Sequence, residues 1–154
     1  MPAITGDTPQ FITRIVVGVD RSEHSLAALR YADALAETLG ATVVAVTAWT
    51  SPTGYIGLPV GPADLREEAE VRLEEAITRA FANDPPARIT AEIHEGDAAE
   101  VLIRQSAAAD LLVVGSRGHG GFAGLLLGSV SAQCAEHARC PVLIYHPPRD
   151  AVAA

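Results

Sequence analysis

The sequence predicts an α/β protein, a three-layer α/β/α sandwich around a five-stranded parallel sheet. Three observations carry this expectation. Short β-branched runs alternate with segments of helical period in the order β-α-β-α-β-α-β-α-β, and such alternation favours parallel strands with helices on both faces. Apolar residues make up 49% of the chain but aromatics only 5%, so the core is expected to be Ala, Val, Leu and Ile packed between elements at close range. At 154 residues the chain suits one domain with a substantial core. That domain is taken as residues 1–154, with its core over about residues 12–147 and frayed termini, including the Ala-rich tail.

The elements follow in order. FITRIVVGVD is an apolar run ending in Gly18 and Asp20, the pattern of a buried parallel strand. The next segment has Ser22 as a helix N-cap, Gly40 as its stop, and Ala28, Ala32, Leu35 and Leu39 at helical spacing. ATVVAVTAW is a second strand, ending at about Ala48, and TSPTGYIGLPVGP a Gly- and Pro-rich loop. Asp64 to Glu67 resembles a capping box, after which Leu65, Ala69, Leu73, Ala76, Ile77, Ala80 and Phe81 trace one helical face. NDPP breaks that helix, ARITAEIHEG alternates as a third strand, and Asp97 caps the short helix of DAAEVLIRQSAAA. DLLVVGS is the fourth strand, Ser129 to about His137 the fourth helix, and CPVLIYHP the fifth strand.

Charge and composition narrow the function classes. The net charge is −8 and no Lys/Arg cluster occurs, which disfavours binding along a nucleic-acid backbone. A small anion is still compatible, because backbone amides hold phosphate without lysine. No apolar run approaches membrane-spanning length. MPAITGDTPQ lacks a basic region followed by a long apolar one, so no secretory signal is expected and the cytoplasm is the expected compartment. Cys134 and Cys140 make no disulfide framework. His24, His94, His137 and His146 are scattered without metal-ligand spacing.

The stretch GSRGHGGFAGLLLGSVS, residues 115–131, carries the chemistry. Five of the chain's thirteen glycines fall in its first ten positions. Gly115, Gly118 and Gly128-Ser129 form the pattern G-x2-G-x9-G-[ST]. In it, Gly115 and Gly118 are expected to turn the chain after the fourth strand and aim successive N–H groups inward as an anion nest. Gly128 and Ser129 open the following helix, where free N–H groups and the helix dipole favour phosphate. A P-loop is excluded by the missing lysine, and a dinucleotide fingerprint by Ala123 at its last glycine and by the lack of the later acidic residue. In an open parallel sheet, ligands bind beyond the carboxyl ends of the strands where the winding reverses, and the tips of strands one, two and four would meet there.

Three segments together, IVVGVDRSEHS, the glycine stretch and HARCPVLIYHP, resemble the universal stress protein family in its ATP-binding branch, over nearly the whole chain. The resemblance implies an adenine nucleotide alpha hydrolase-like, Rossmann-like fold. It places Asp20 at the ribose and phosphate region, with Gly18 and Val19 on the adenine side. The backbone of Ala48 would recognise adenine, and Val114 and Gly115 would lie under the nucleotide. Gly118, Gly128, Ser129, Val130 and Ser131 would hold the phosphates, with Arg117 and His119 at the rim. The family often has His just before the adenine position, where this chain has Thr47. Asp20 also reads as a cap for the first helix, and Trp49 and Tyr55 as cover for a base or as packing.

The function expected from this resemblance is an ATP-binding regulatory module of stress response or dormancy, with Mg²⁺ able to ride on the phosphates. No general base, nucleophile or metal–carboxylate cluster stands out at the phosphate end, so efficient hydrolysis has no evident machinery. The alternatives are a slow ATPase or nucleotidyl-transfer enzyme of related fold, a cAMP-binding member, and a nucleotide-free interaction module. An unpaired apolar edge is an aggregation hazard, so CPVLIYH is expected to pair with its copy in a homodimer, as the resemblance also implies.

Overall fold

The computed structural model describes residues 11–51, 61–117 and 127–148. Nine elements follow the predicted order: β1 (Arg14–Gly18), α1 (Glu23–Leu39), β2 (Thr42–Trp49), α2 (Pro62–Ala80), β3 (Ile89–Glu95), α3 (Ala98–Ser106), β4 (Leu111–Gly115), α4 (Ser129–His137) and β5 (Val142–Tyr145). The sheet has five strands in the order β3-β2-β1-β4-β5, and every pairing is parallel. The winding reverses between β1 and β4, so a crevice opens beside their carboxyl ends.

Alternation along each strand divides the core into two layers. Ile15, Val17, Val43, Ala45, Leu111 and Val113 face α1 and α2, where Leu26, Leu29, Leu73 and Ile77 meet them. Val16, Val44, Val46, Leu112 and Val114 face α3 and α4, against Val101, Leu102 and Cys134. A strand buried on both faces needs an unbroken apolar run rather than an alternating one, which is why RIVVG and LLVVG have that composition. Ala28, Ala32 and Ala36 are fully buried, so α1 lies close on the sheet with little side chain between them.

The helix signals were local and were largely realised. Ser22 is the N-cap of α1, its hydroxyl accepting the Ser25 N–H at 3.2 Å. Gly40 ends the helix at φ 67°, a conformation that favours glycine. Asp97 caps α3 through the Glu100 N–H. Two expectations change. Leu39 is 45% exposed, because the buried stripe of α1 runs along the alanines and ends at Ala36. The capping residue of α2 is Gly61 rather than Asp64. Pro62 opens that helix at a position where its missing N–H costs nothing, and the Asp64 carboxylate reaches back to accept the Gly61 N–H at 2.9 Å. The first strand is also shorter than the segment that predicts it: β1 ends at Gly18, leaving Asp20 in the turn beyond it.

At the opposite end of the sheet Asp110 ties β1 to β4. Its Oδ2 accepts the Thr13 N–H, the Thr13 hydroxyl and the Arg14 N–H, each at 2.9 Å. These bonds hold its pKa below the ordinary 3.8, the Thr13 N–H contributing most. Among the described residues no helix is long and apolar enough to cross a membrane.

Two outcomes follow from this packing. A carboxyl with a depressed folded pKa contributes stability above its ordinary pKa and loses it as pH falls from there. Asp110→Ala should therefore lower unfolding stability by about 1–2 kcal/mol at pH 7, and urea titrations should show the gap to wild type narrowing as the pH falls below 3.8. Separately, a Cβ on Gly115 would stand 3.1 Å from the main-chain carbon and oxygen of His24. Gly115→Val should cost about 1–3 kcal/mol through this overpacking, read as a lower midpoint in the same titration.

Candidate functional site

The crevice beyond β1 and β4 is a cavity of about 90 Å³. Of the residues named from sequence, Gly18, Val19, Asp20, Ala48, Val114, Gly115, Arg117, Val130 and Ser131 line it together. Gly128 and Ser129 open α4 next to Val130, while Gly118 and His119 lie outside the described residues. Four further residues, not assigned to the site from sequence, also line it: Ser25 of α1, Val46 of β2, and Ala98 and Leu102 of α3. The helical period of α3 shows that Leu102 is buried but not which strand tip it covers. Leu102 Cδ1 would be 2.7 Å from a Cβ on Gly18, so the glycine lets α3 close over the tip of β1.

Side-chain hydroxyls hold the turn after β1. The Asp20 carboxylate accepts the Ser22 N–H at 2.7 Å and also the Ser22 hydroxyl. The Ser25 hydroxyl accepts the Asp20 N–H at 3.1 Å and lies 2.9 Å from the Asp20 carbonyl. Asp20 therefore braces the turn ahead of α1, whose N-cap is Ser22 rather than Asp20, and it also lines the crevice. The Thr47 hydroxyl donates to the Val19 carbonyl at 2.7 Å. Val46 turns its carbonyl to β1, accepting the Val19 N–H, and Trp49 turns its carbonyl to β3, accepting the Gly96 N–H. By the same alternation the N–H and C=O of Ala48 point to the β1 side. Pairing with β1 has already stopped there, at Gly18 and Val46.

The described ends of the glycine-rich loop are clamped to each other. The Ser116 carbonyl accepts the Gly128 N–H at 2.9 Å and lies 3.2 Å from the Ser131 hydroxyl. Ser131 is 3% exposed, so its hydroxyl braces the loop rather than projecting into solvent. The Ser116 N–H donates to the Tyr145 carbonyl of β5 at 3.0 Å. Gly115 sits in β4 and makes room for α1, so close packing accounts for it where a nest had been expected. At α4, Gly128 offers no capping side chain and the first turn has no acidic residue. The first turns of α1, α2 and α3 each carry one, Glu23, Asp64 and Glu100. The partial positive charge at the start of α4 thus has no carboxylate of its own first turn against it.

On the other face of the sheet tip lies a second cavity of about 320 Å³. It shares Val19, Asp20, Ala48 and Ala98 with the crevice and continues past Thr47 and Trp49 to Leu65, Ala69 and Leu73 of α2. Arg72 on its wall is ion-paired with Glu68. The cysteines are poor nucleophiles: burial pushes the Cys134 thiol up to about 11 and raises that of Cys140. Among the described residues no group of three His, Cys, Asp or Glu side chains could hold a metal ion.

Comparison with known proteins gives this geometry a family. The model of the universal stress protein family matches residues 12–146. A universal stress protein of Mycolicibacterium smegmatis is 33% identical over 135 residues, which cover 86% of this chain and 45% of that protein. This chain therefore spans about half the length of that relative. A universal stress protein of Thermus aquaticus is 33% identical over 132 residues, covering 84% of this chain and 96% of that one. Among solved structures, a universal stress protein in complex with cAMP superposes with a TM-score of 0.70 at 30% identity, over 90% of this chain and 100% of the other. The five-stranded parallel sheet, the crevice at its carboxyl edge and these matches have one conclusion: the chain belongs to the universal stress protein family.

Proposed function

We propose that this chain is an adenine-nucleotide-binding regulatory module of the cytoplasm, acting in stress response or dormancy, with ATP as its ligand. One observation carries the proposal. A single crevice runs from the main-chain edge of Ala48 to the start of α4, which has neither a capping side chain nor an acidic first turn. The first end suits the hydrogen-bonding edge of a base, and the second suits phosphate.

Each group has a part in holding the nucleotide. Gly18, Val19, Leu102 and Val114 supply apolar walls around the base, and Ala48 supplies a donor and an acceptor. Asp20 meets the ribose. The N–H groups of Ser129 and Val130, with the Ser129 hydroxyl, receive the phosphates, and Arg117 adds charge at the rim. Gly118 and His119 would complete the phosphate end. Mg²⁺ would be held chiefly by phosphate oxygens and water, with Asp20 as the nearby protein carboxylate, since the described residues form no metal cage. The module would work by binding state rather than turnover. A second reading has its own support: the solved relative at 30% identity is a cAMP complex, so cAMP is the competing ligand.

The test is to release bound nucleotide from heat-denatured purified protein and identify it by mass spectrometry. Recovered ATP supports the reading, stoichiometric cAMP moves it to the second, and an empty protein without ATP affinity in calorimetry overturns both. Gly128→Glu, which puts a carboxylate at the phosphate end, should weaken ATP binding by at least about a hundredfold, and Ser129→Ala by about tenfold. Unchanged calorimetric affinity in both variants would remove α4 from the site.

We also propose a homodimer through β5. All four of its residues, Val142 to Tyr145, are half-buried and apolar, and the strand is a sheet edge. Light scattering at micromolar concentration should give twice the chain mass, and Ile144→Lys should give the monomer. A monomeric wild type would end this proposal.

A further inference from the structure

The pairing of β1 with β2 stops at a carbonyl that a side chain engages. The last paired residues are Gly18 and Val46, after which the Val19 N–H still donates to the Val46 carbonyl at 2.9 Å. In a regular parallel ladder the next bond would run from the Ala48 N–H to the Val19 carbonyl. Here the Thr47 hydroxyl takes that carbonyl at 2.7 Å. On the next residue, Ser25 engages both the N–H and the carbonyl of Asp20. The main chain of β1 beyond Gly18 is thus satisfied by neighbouring atoms, while Ala48 faces the crevice outside the ladder.

We infer that Thr47 is a positioning residue for base recognition: by capturing the Val19 carbonyl it keeps the Ala48 N–H out of the β1–β2 ladder and available to a ligand. The inference rests on the adenine-nucleotide reading of the crevice. Its chemistry is a choice between two donors for one acceptor. Thr47→Val has nearly the same shape but no hydroxyl, so the Val19 carbonyl must find another donor or lie unpaired at the tip. The Ala48 N–H is the donor that one more rung would supply. Once it is bonded there, the ring nitrogen of a base loses its partner, whereas the phosphate end of the site is untouched.

Two measurements test this on the full chain. The first needs no ligand: amide hydrogen exchange followed by NMR. The Ala48 N–H should exchange freely in wild type and become protected in Thr47→Val. The second compares ATP with inorganic tripolyphosphate by calorimetry. Thr47→Val should weaken ATP about tenfold and leave tripolyphosphate unchanged, and Thr47→Ser, which keeps the hydroxyl, should restore ATP binding. Equal loss of both ligands would mark a merely structural role and overturn the inference, as would unaltered exchange at Ala48. Should the exchange change as expected while wild type binds no ATP, the nucleotide reading falls, and with it the role of Thr47 in recognition.

Discussion

The structure depends on β1 being enclosed on every side. Its middle residues, Ile15, Val16 and Val17, are fully buried, and the strand is paired to β2 and β4. No ligand can reach a strand so placed except at its end. A crevice can therefore meet β1 only at a strand end, as it does at the sheet's carboxyl edge, where β1 stops at Gly18 and the chain must turn into α1. Gly18 and Gly115 both lie at that edge, one residue out of step in the β1–β4 register, and each makes way for a helix, Gly18 for α3 and Gly115 for α1. Closing those two helices over the sheet determines how wide the crevice can be.

A second constraint acts on the loops. Three hydroxyls, on Ser25, Thr47 and Ser131, each satisfy main-chain groups where a strand has ended and a helix has not yet supplied partners. Unpaired groups at half-buried sites are costly, so these short side chains hold the turns in one arrangement. A site held in place before its ligand arrives loses less entropy on binding. The clamp on Ser116 also links the glycine-rich loop to β5 through Tyr145, so the α4 end of the crevice and the proposed dimer edge share one strand terminus. Tyr145 in turn stacks on Tyr31 of α1 at 4.9 Å, carrying that connection to the helix whose start forms the other side of the crevice.

Much of the candidate site could be read from sequence because its residues lie at strand ends and helix starts. Strand ends are marked by where an apolar run gives way to Asp20 or to Gly115, and helix starts by Ser22, Asp97 and the Gly128-Ser129 pair. The residues that escaped notice, Leu102 and Ala98 among them, reach the crevice only because α3 crosses above β1 and β2. Ser25 is different again: it is 4% exposed and its hydroxyl is bonded to the main chain of Asp20, a contact that its place in the first turn of a helix does not announce. Two of the residues named for the crevice have structural contacts that their sequence positions did not announce. Ser131 faces its own loop, and Gly115 admits a neighbouring helix.

By itself the sequence determined the order and type of every described element, because buried parallel strands need unbroken apolar runs and helices announce themselves through caps a few residues away. It also pointed to the carboxyl edge of the sheet, where the structure has its crevice. Only the tertiary structure decided which polar groups at that edge are already engaged. Thr47 meets Val19 across a separation in sequence that no local pattern spans, and Ser131 meets Ser116 within the glycine motif, whose spacing does not say which hydroxyl closes it. The choice between a hydroxyl and an amide for one carbonyl depends on distances of about 3 Å, and those exist only once the strands have paired and the helices have closed on them.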